Sequence, residues 1–391
     1  MAGREFEKSP RDPSNMQIAL IHDYLNQYGG AERVLEVLHA MYPQAPVFTS
    51  IYDKKMMPAH FREWDVRMSF MRKLPNAAKW HQLYMPLYPT AFEKFDLSSF
   101  DLVLSSSSAF AKGVITNPEA LHVCYCHSPM RFAWNYNDYM AGERVPRRAH
   151  IVLSLILNYV RLWDEVTAGR VDAYIANSRL VARRIRKRYG RSATIINPPV
   201  DTQRYTPNPN GEHSDYFLIV SRLIPYKRID LVIEAFNELQ LPLKIVGRGR
   251  QAAELRAQAK SNIQFHGAVS EAELNKLYAN CKALIFPGQE DFGIAPIEAQ
   301  ASGRPVVAFG AGGALETVVP RITGEFFTEQ SAEALAEVIS RFDSYDYDPA
   351  VIRRHAERFD VEVFKTRISD FIAHRLEKHR TQMFGYQLSV D

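Results

Sequence analysis

Residues Phe286 to Gly303 read FPGQEDFGIAPIEAQASG. The apolar run Ala283, Leu284, Ile285, Phe286 stops at Pro287-Gly288, which predicts a short buried strand ending in a loop. Gly293 then opens an apolar, Ala-rich helix from Ile294 that ends at Gly303, ahead of Pro305. A strand, a loop and a helix start expose backbone N–H groups, here those of Phe292, Gly293 and Ile294, at the positive end of a helix dipole. That arrangement suits a phosphate. Two acids punctuate the stretch, Glu290 in the loop and Glu298 one turn into the helix. Carboxylates do not hold phosphate; they accept hydroxyls, through two oxygens each. An anion seat flanked by two hydroxyl acceptors points to a nucleotide-linked sugar. A plainer reading has Glu290 capping the helix and Glu298 facing solvent.

The spacing Glu290-x7-Glu298 resembles the signature of the retaining glycosyltransferases of family four. The resemblance covers most of residues 16 to 375 and leans toward bacterial mannosyltransferases that build O-antigen, capsule or exopolysaccharide. It implies the GT-B fold: two doubly wound, Rossmann-like α/β domains facing each other across a cleft.

Composition agrees with a two-domain globular chain: 391 residues, 46% hydrophobic and 24% charged. No apolar run approaches the roughly 20 residues of a membrane span. Residues 1–15 are charged and Pro-containing, which predicts a flexible leader and no signal peptide. Three cysteines, two of them close together at Cys124 and Cys126, fit reduced core thiols in a cytoplasmic protein. A formal charge of +4 suits anionic small molecules or an anionic membrane surface and is too small to argue for nucleic acid.

Along the chain, Gln17 to His22 reads as a buried parallel strand, followed by Gly29-Gly30 and the helical spacing of Val34, Leu35, Val37, Leu38 and Met41. By resemblance Gly29 and Gly30 face the donor. Further strands are expected at 101–104, 121–126 and 173–176, and helices at 147–170 and 179–189. His127 follows the second of these strands, at the carboxyl edge of the sheet where such folds bind ligands. The family's cleft histidine falls there, and it would reach the sugar. The segment Trp64 to Phe95 interleaves Arg67, Arg72, Lys73, Lys79 and Lys94 with Trp80, Tyr84, Tyr88 and Phe92 at four-residue spacing. One reading is an interfacial segment on an anionic membrane; the other is a core helix with a wet basic edge.

Prolines 198, 199, 207 and 209 mark a boundary. The expected division is a leader at 1–15, an acceptor-side domain at 16–199, a nucleotide-sugar-binding domain at 200–364, and a C-terminal helix, 365–391, packing back towards the first domain. In the second domain, strands at 216–220, 243–246, 263–266, 283–286 and 306–309 each run into a glycine- or charge-bearing loop.

Diphosphate departure needs positive charge. Asp346-Tyr347-Asp348 has the form of a metal motif, but no strand leads into it and Pro349 follows, so it reads as a helix cap and no metal is assigned. Fixed cations are the other supply: Arg222, a bidentate fork, and Lys227, a compact charge, share one post-strand loop. Their pattern matches the family's diphosphate clamp. By the same resemblance Glu290 takes sugar hydroxyls, Glu298 the ribose hydroxyls, and Gly247 borders the donor. Those assignments imply a metal-independent, retaining hexosyltransferase with no cofactor beyond its substrate. The donor would be GDP-mannose and the acceptor a glycan or polyprenol-linked glycan. Alternatives are a UDP-sugar donor, a same-fold epimerase or phosphorylase, a membrane-bound scaffold without activity, and a dehydrogenase. The last is suggested by Gly247-Arg248-Gly249-Arg250-Gln251-Ala252, which has the G-x-G-x-x-A dinucleotide form.

Overall fold

A computed structural model describes residues 16–134, 147–209 and 213–387. The expected leader, 1–15, lies outside them, as does the tip of the proline-rich boundary at 210–212. The first domain is built from β1 (Ile18–His22), α1 (Gly30–Met41), β2 (Val47–Thr49), β3 (Val66–Met68), β4 (Leu102–Ser107) and β5 (Leu121–Cys126). It continues with α2 (Arg147–Thr167), β6 (Ala173–Ala176), α3 (Arg179–Tyr189) and β7 (Ala193–Ile195). Its seven strands are parallel in the order β3-β2-β1-β4-β5-β6-β7, so the order reverses beside β1. Such a switch point opens a crevice at the carboxyl ends of the strands.

The second domain holds β8 (Phe217–Val220), α4 (Ile229–Leu239), β9 (Leu243–Val246), β10 (Ile263–Gly267) and α5 (Glu271–Asn280). After these come β11 (Leu284–Phe286), α6 (Ile294–Ala301), β12 (Val306–Phe309) and β13 (Gly324–Phe327). The six parallel strands run β10-β9-β8-β11-β12-β13, with the reversal at β8 and β11. This is the two-domain GT-B architecture, with the central strands of each sheet buried on both faces and the edge strands β3, β7 and β10 partly exposed.

A buried carboxylate shapes the first domain's ligand edge. Asp23, 1% exposed just after β1, accepts from the backbone N–H groups of Ser108, Ala109, Phe110 and Ala111 at 2.6–3.0 Å. The loop after β4 is thereby wrapped around the end of β1.

The chain crosses between domains twice, side by side. Val200 donates to Phe359 O at 2.9 Å, and Thr202 Oγ1 donates to the Asp360 carboxylate. After α7 (Pro349–Glu357) the last helix, α8 (Val361–Gln387), returns to the first domain. It starts at Val361 and seats Phe364, Ile368 and Ile372 in a core with Leu20, Leu104 and Tyr125.

The aromatic series of Trp64–Phe95 does not form one helical face. Pro86 lies within a 3-10 turn, His81–Leu87, and a separate short helix begins at Tyr88. Tyr88 and Phe92 go into the core, with ring centroids 4.5 and 6.5 Å from Phe110. Trp80 is exposed and Tyr84 half-buried, its hydroxyl on Pro75 O at 2.9 Å.

Candidate active site

The loops at the carboxyl edges of the two sheets meet. In the second domain Arg222 and Lys227 leave β8, and Lys227, 9% exposed, forms an ion pair with Glu290 from the loop after β11. Arg222 donates to the Tyr226 hydroxyl at 2.9 Å, and the Tyr226 ring also carries the Lys227 ammonium at 5.2 Å from its centroid. Gly293 caps α6 with φ +92°, and a Cβ there would lie 2.7 Å from Phe286 Cζ, so this turn needs glycine. Phe292 turns its ring into the core against Phe359, which leaves only its backbone to the loop.

The first domain supplies the opposite wall. Gly30 approaches α6 so closely that a Cβ would lie 2.9 Å from Ile294 Cδ1. Arg131 and Arg184 both pair with Asp291, the residue after Glu290: Arg131 Nε donates at 2.9 Å, and Arg184 donates to the other oxygen. Arg131 also faces the Tyr226 ring at 5.8 Å. Arg184 reaches back to Ser128 Oγ at 3.3 Å, next to His127. A third crossing is at Glu316, whose carboxylate accepts from Arg179 N at 2.8 and 3.0 Å and so caps α3 from the other domain.

Glu298 neither faces solvent nor stands free. It is 3% exposed, paired with Arg33 from α1, and accepts from the hydroxyls of Tyr205 and Tyr278 at 2.8 and 2.7 Å. Burial, and then the adjacent carboxylate, raise both phenols' pKa values, so they stay protonated donors.

His127 ends a polar chain. Its Nε2 hydrogen-bonds Ser106 Oγ at 2.8 Å, Ser106 Oγ meets His22 Nδ1 at 3.2 Å, and His22 Nε2 lies 3.6 Å from Glu32. Desolvation, with a lesser contribution from His22, pushes the His127 pKa down to about 3, so the imidazole is neutral at physiological pH. A neutral ring can hydrogen-bond a hydroxyl; it cannot supply a fixed cation.

Two of the glycines expected beside the donor have their N–H groups satisfied within the protein. The Gly29 N–H donates to Glu32 at 2.8 Å, and the Gly247 N–H donates to Gly267 O at 2.7 Å. Gly247 has φ +139°, and a Cβ there would lie 1.8 Å from Ser221 O. The glycine therefore serves the close packing of the post-β9 turn on the Arg222 loop, which gives the dinucleotide-like pattern a different physical cause. Asp348 accepts from Ala350 and Val351 N at the start of α7, a cap as its sequence suggested. Among the described residues no group of three His, Cys, Asp or Glu is placed to hold a metal.

Sequence reading missed Tyr226, Asp291, Arg33, Arg184 and the pair Tyr205–Tyr278. Tyr226 sits between Arg222 and Lys227 on their loop and Asp291 follows Glu290, so both could have been drawn from those neighbours. The two other tyrosines are distant in sequence and carried no local signal.

Two family models adjoin at residue 204: "Glycosyltransferase Family 4" matches residues 28–204 and "Glycosyl transferases group 1" matches 204–358. An alpha-1,3/1,6-mannosyltransferase of Dictyostelium discoideum is 24% identical, over 80% of this chain and 86% of its own length. A GDP-mannose-dependent monoacylated alpha-(1-6)-phosphatidylinositol monomannoside mannosyltransferase of Corynebacterium glutamicum is 30% identical over 43% of this chain. This chain spans about half, 52%, of that relative. Among solved structures, sucrose-phosphate synthase of Thermosynechococcus elongatus superposes with a TM-score of 0.71 at 18% identity, covering 93% of this chain and 100% of that one. HepE of Anabaena, solved with UDP-glucose, gives 0.68 at 20% identity, covering 92% and 100%. With adjoining family matches running from residue 28 to 358 on a GT-B architecture, the chain belongs to the family-four glycosyltransferases.

Proposed function

We propose that this enzyme moves a hexose, mannose from GDP-mannose, to a glycan or polyprenol-linked glycan acceptor, with retention and without a metal. The observation that carries the reading is the Lys227–Glu290 pair beside Arg222 and the start of α6, opposite Gly30 and the His127 loop. A cation and a carboxylate in contact are poised to part around a ligand that has a diphosphate and hydroxyls. Lys227 and Arg222 would then neutralise the leaving diphosphate, and Glu290 would accept sugar hydroxyls. Neutral His127, held by Ser106 through Nε2, would meet the sugar through its other nitrogen. Attack from the face the nucleotide leaves would let the departing phosphate take the acceptor's proton. For the ribose to reach Glu298, Arg33 must give way or share the carboxylate.

The donor assignment follows the names of the Dictyostelium and Corynebacterium relatives. A panel of nucleotide sugars tests it: GDP-mannose should give the largest rise in melting temperature and labelled transfer, because a ligand of the native state stabilises by mass action. A larger shift with a UDP-sugar would replace the donor. Epimerisation or hydride exchange without transfer would remove the reaction.

A further inference from the structure

Helix α2 is apolar on two opposite faces. Leu157, Val160 and Trp163 are buried in the first-domain core, with Leu153 and Ile156 packed against it. On the other side Ile151, Leu155, Leu162 and Val166 are 68%, 65%, 65% and 70% exposed, with Val152 and Tyr159 also exposed. A helix apolar on both sides is normally enclosed. Its orientation is fixed from within: buried Lys112 pairs with Asp164 at 2.8 Å, and Trp163 Nε1 donates to Glu93 at 3.0 Å. The outer stripe is therefore the face this helix is held to present.

The surface beside it has the same character. The turn His81–Leu87 packs against α2 and adds exposed Leu83 and Leu87, with Trp80 just before it. Between Asp65 and Glu93 the sequence contains no acid, while Arg72, Lys73 and Lys79 are exposed.

We infer that this composite face docks the first domain on an anionic lipid surface, with α2 lying in the interfacial plane and the three cations among headgroups. Apolar stripe, Trp and cations on one face are the components of interfacial binding. Another copy of this chain fits less well, since a two-fold contact would bring like cations together. The stripe also advances in steps of four, four, three and four residues, a wider repeat than the 3.5 of a coiled-coil seam. The inference concerns where the enzyme works and stands whatever sugar it moves.

Flotation of the full chain with phosphatidylcholine vesicles, with and without half phosphatidylglycerol, tests it. Wild type should float with the anionic vesicles and bind neutral ones at least tenfold less. Leu155→Glu/Leu162→Glu should lower anionic partitioning at least tenfold, with circular dichroism and the donor-induced thermal shift unchanged. Arg72→Glu/Lys73→Glu/Lys79→Glu should abolish the preference for anionic vesicles. Undiminished binding of the leucine variant overturns the proposal; should that variant misfold, undiminished binding of the charge-reversal variant does. A wild type that ignores vesicles and self-associates through the stripe, with Leu155→Glu/Leu162→Glu monomeric, also overturns it. Flotation without sugar transfer would instead refute the assigned reaction and leave docking intact.

Discussion

Removing the Asp291 carboxylate should open the enzyme rather than unfold it. Asp291 is 8% exposed and receives Arg131 and Arg184 from the facing domain, so Asp291→Ala breaks two ion pairs across the cleft. Each pair is worth about 4 kcal/mol at ~4 Å and an effective dielectric near 20. The arginine side chains are 36% and 21% exposed and rehydrate when the domains part, which returns much of that. A net loss of about 2–4 kcal/mol remains, charged to the closed arrangement, or roughly 30- to 900-fold in the closed-to-open ratio. The donor KM should rise by up to that factor, and small-angle scattering should show a larger radius of gyration without ligand. Because both domain cores are untouched, the melting temperature should move by only a few degrees. Wild-type KM and an unchanged scattering profile would refute the reasoning. So would a lower KM, which would mean that Asp291 mainly repels the diphosphate.

Arg222→Ala and Lys227→Ala should each lower turnover roughly 30- to 4000-fold, the loss of a charge-assisted contact to a buried anion worth about 2–5 kcal/mol, and wild-type activity should survive EDTA. Loss with chelator and rescue by manganese would overturn the fixed-cation clamp. Acid should weaken the fold early. His122, His127 and His355 are held neutral, chiefly by desolvation, with pKa values lowered to about 4, 3 and 4. The unfolded chain binds these protons below about pH 6.5 while the native state does not, so stability is complete above that pH and falls as pH drops towards 4. Calorimetry showing a flat melting temperature from pH 7 to 4.5 would contradict this.

Much of the second domain's share of the candidate site was legible because its chemistry is local. Arg222 and Lys227 share one turn, Glu290 and Gly293 another, and each follows a strand whose apolar run is visible in sequence. What could not be read depends on distance or on place in the sheet. Arg184 and Asp291 are 107 residues apart, and no spacing rule connects them. Strands β3 (Val66-Arg67-Met68) and β7 (Ala193-Thr194-Ile195) are edge strands and β13 reads Gly324-Glu325-Phe326-Phe327, so none of them carries the continuous apolar run that marks the central strands. Tyr88 and Phe92 matched an exposed aromatic face because the residue that buries them, Phe110, comes from another loop. The outward stripe of α2 is the opposite case: its apolar residues are visible in the sequence, and only packing reveals which of them are left outside.

The return of α8 has a consequence for the order in which this protein is made. One face of the first domain's core lacks Phe364, Ile368 and Ile372 until α8 has been synthesised, and Tyr125 has no Phe364 ring at 5.7 Å to close over it. On the ribosome, residues 16–200 therefore emerge with two of their apolar clusters complete and with the third, around Leu20, Leu104 and Tyr125, open until α8 follows. A nascent chain stalled near residue 360 would expose an apolar groove and be a substrate for chaperones. A frameshift within α8 would damage the half of the enzyme that was translated first.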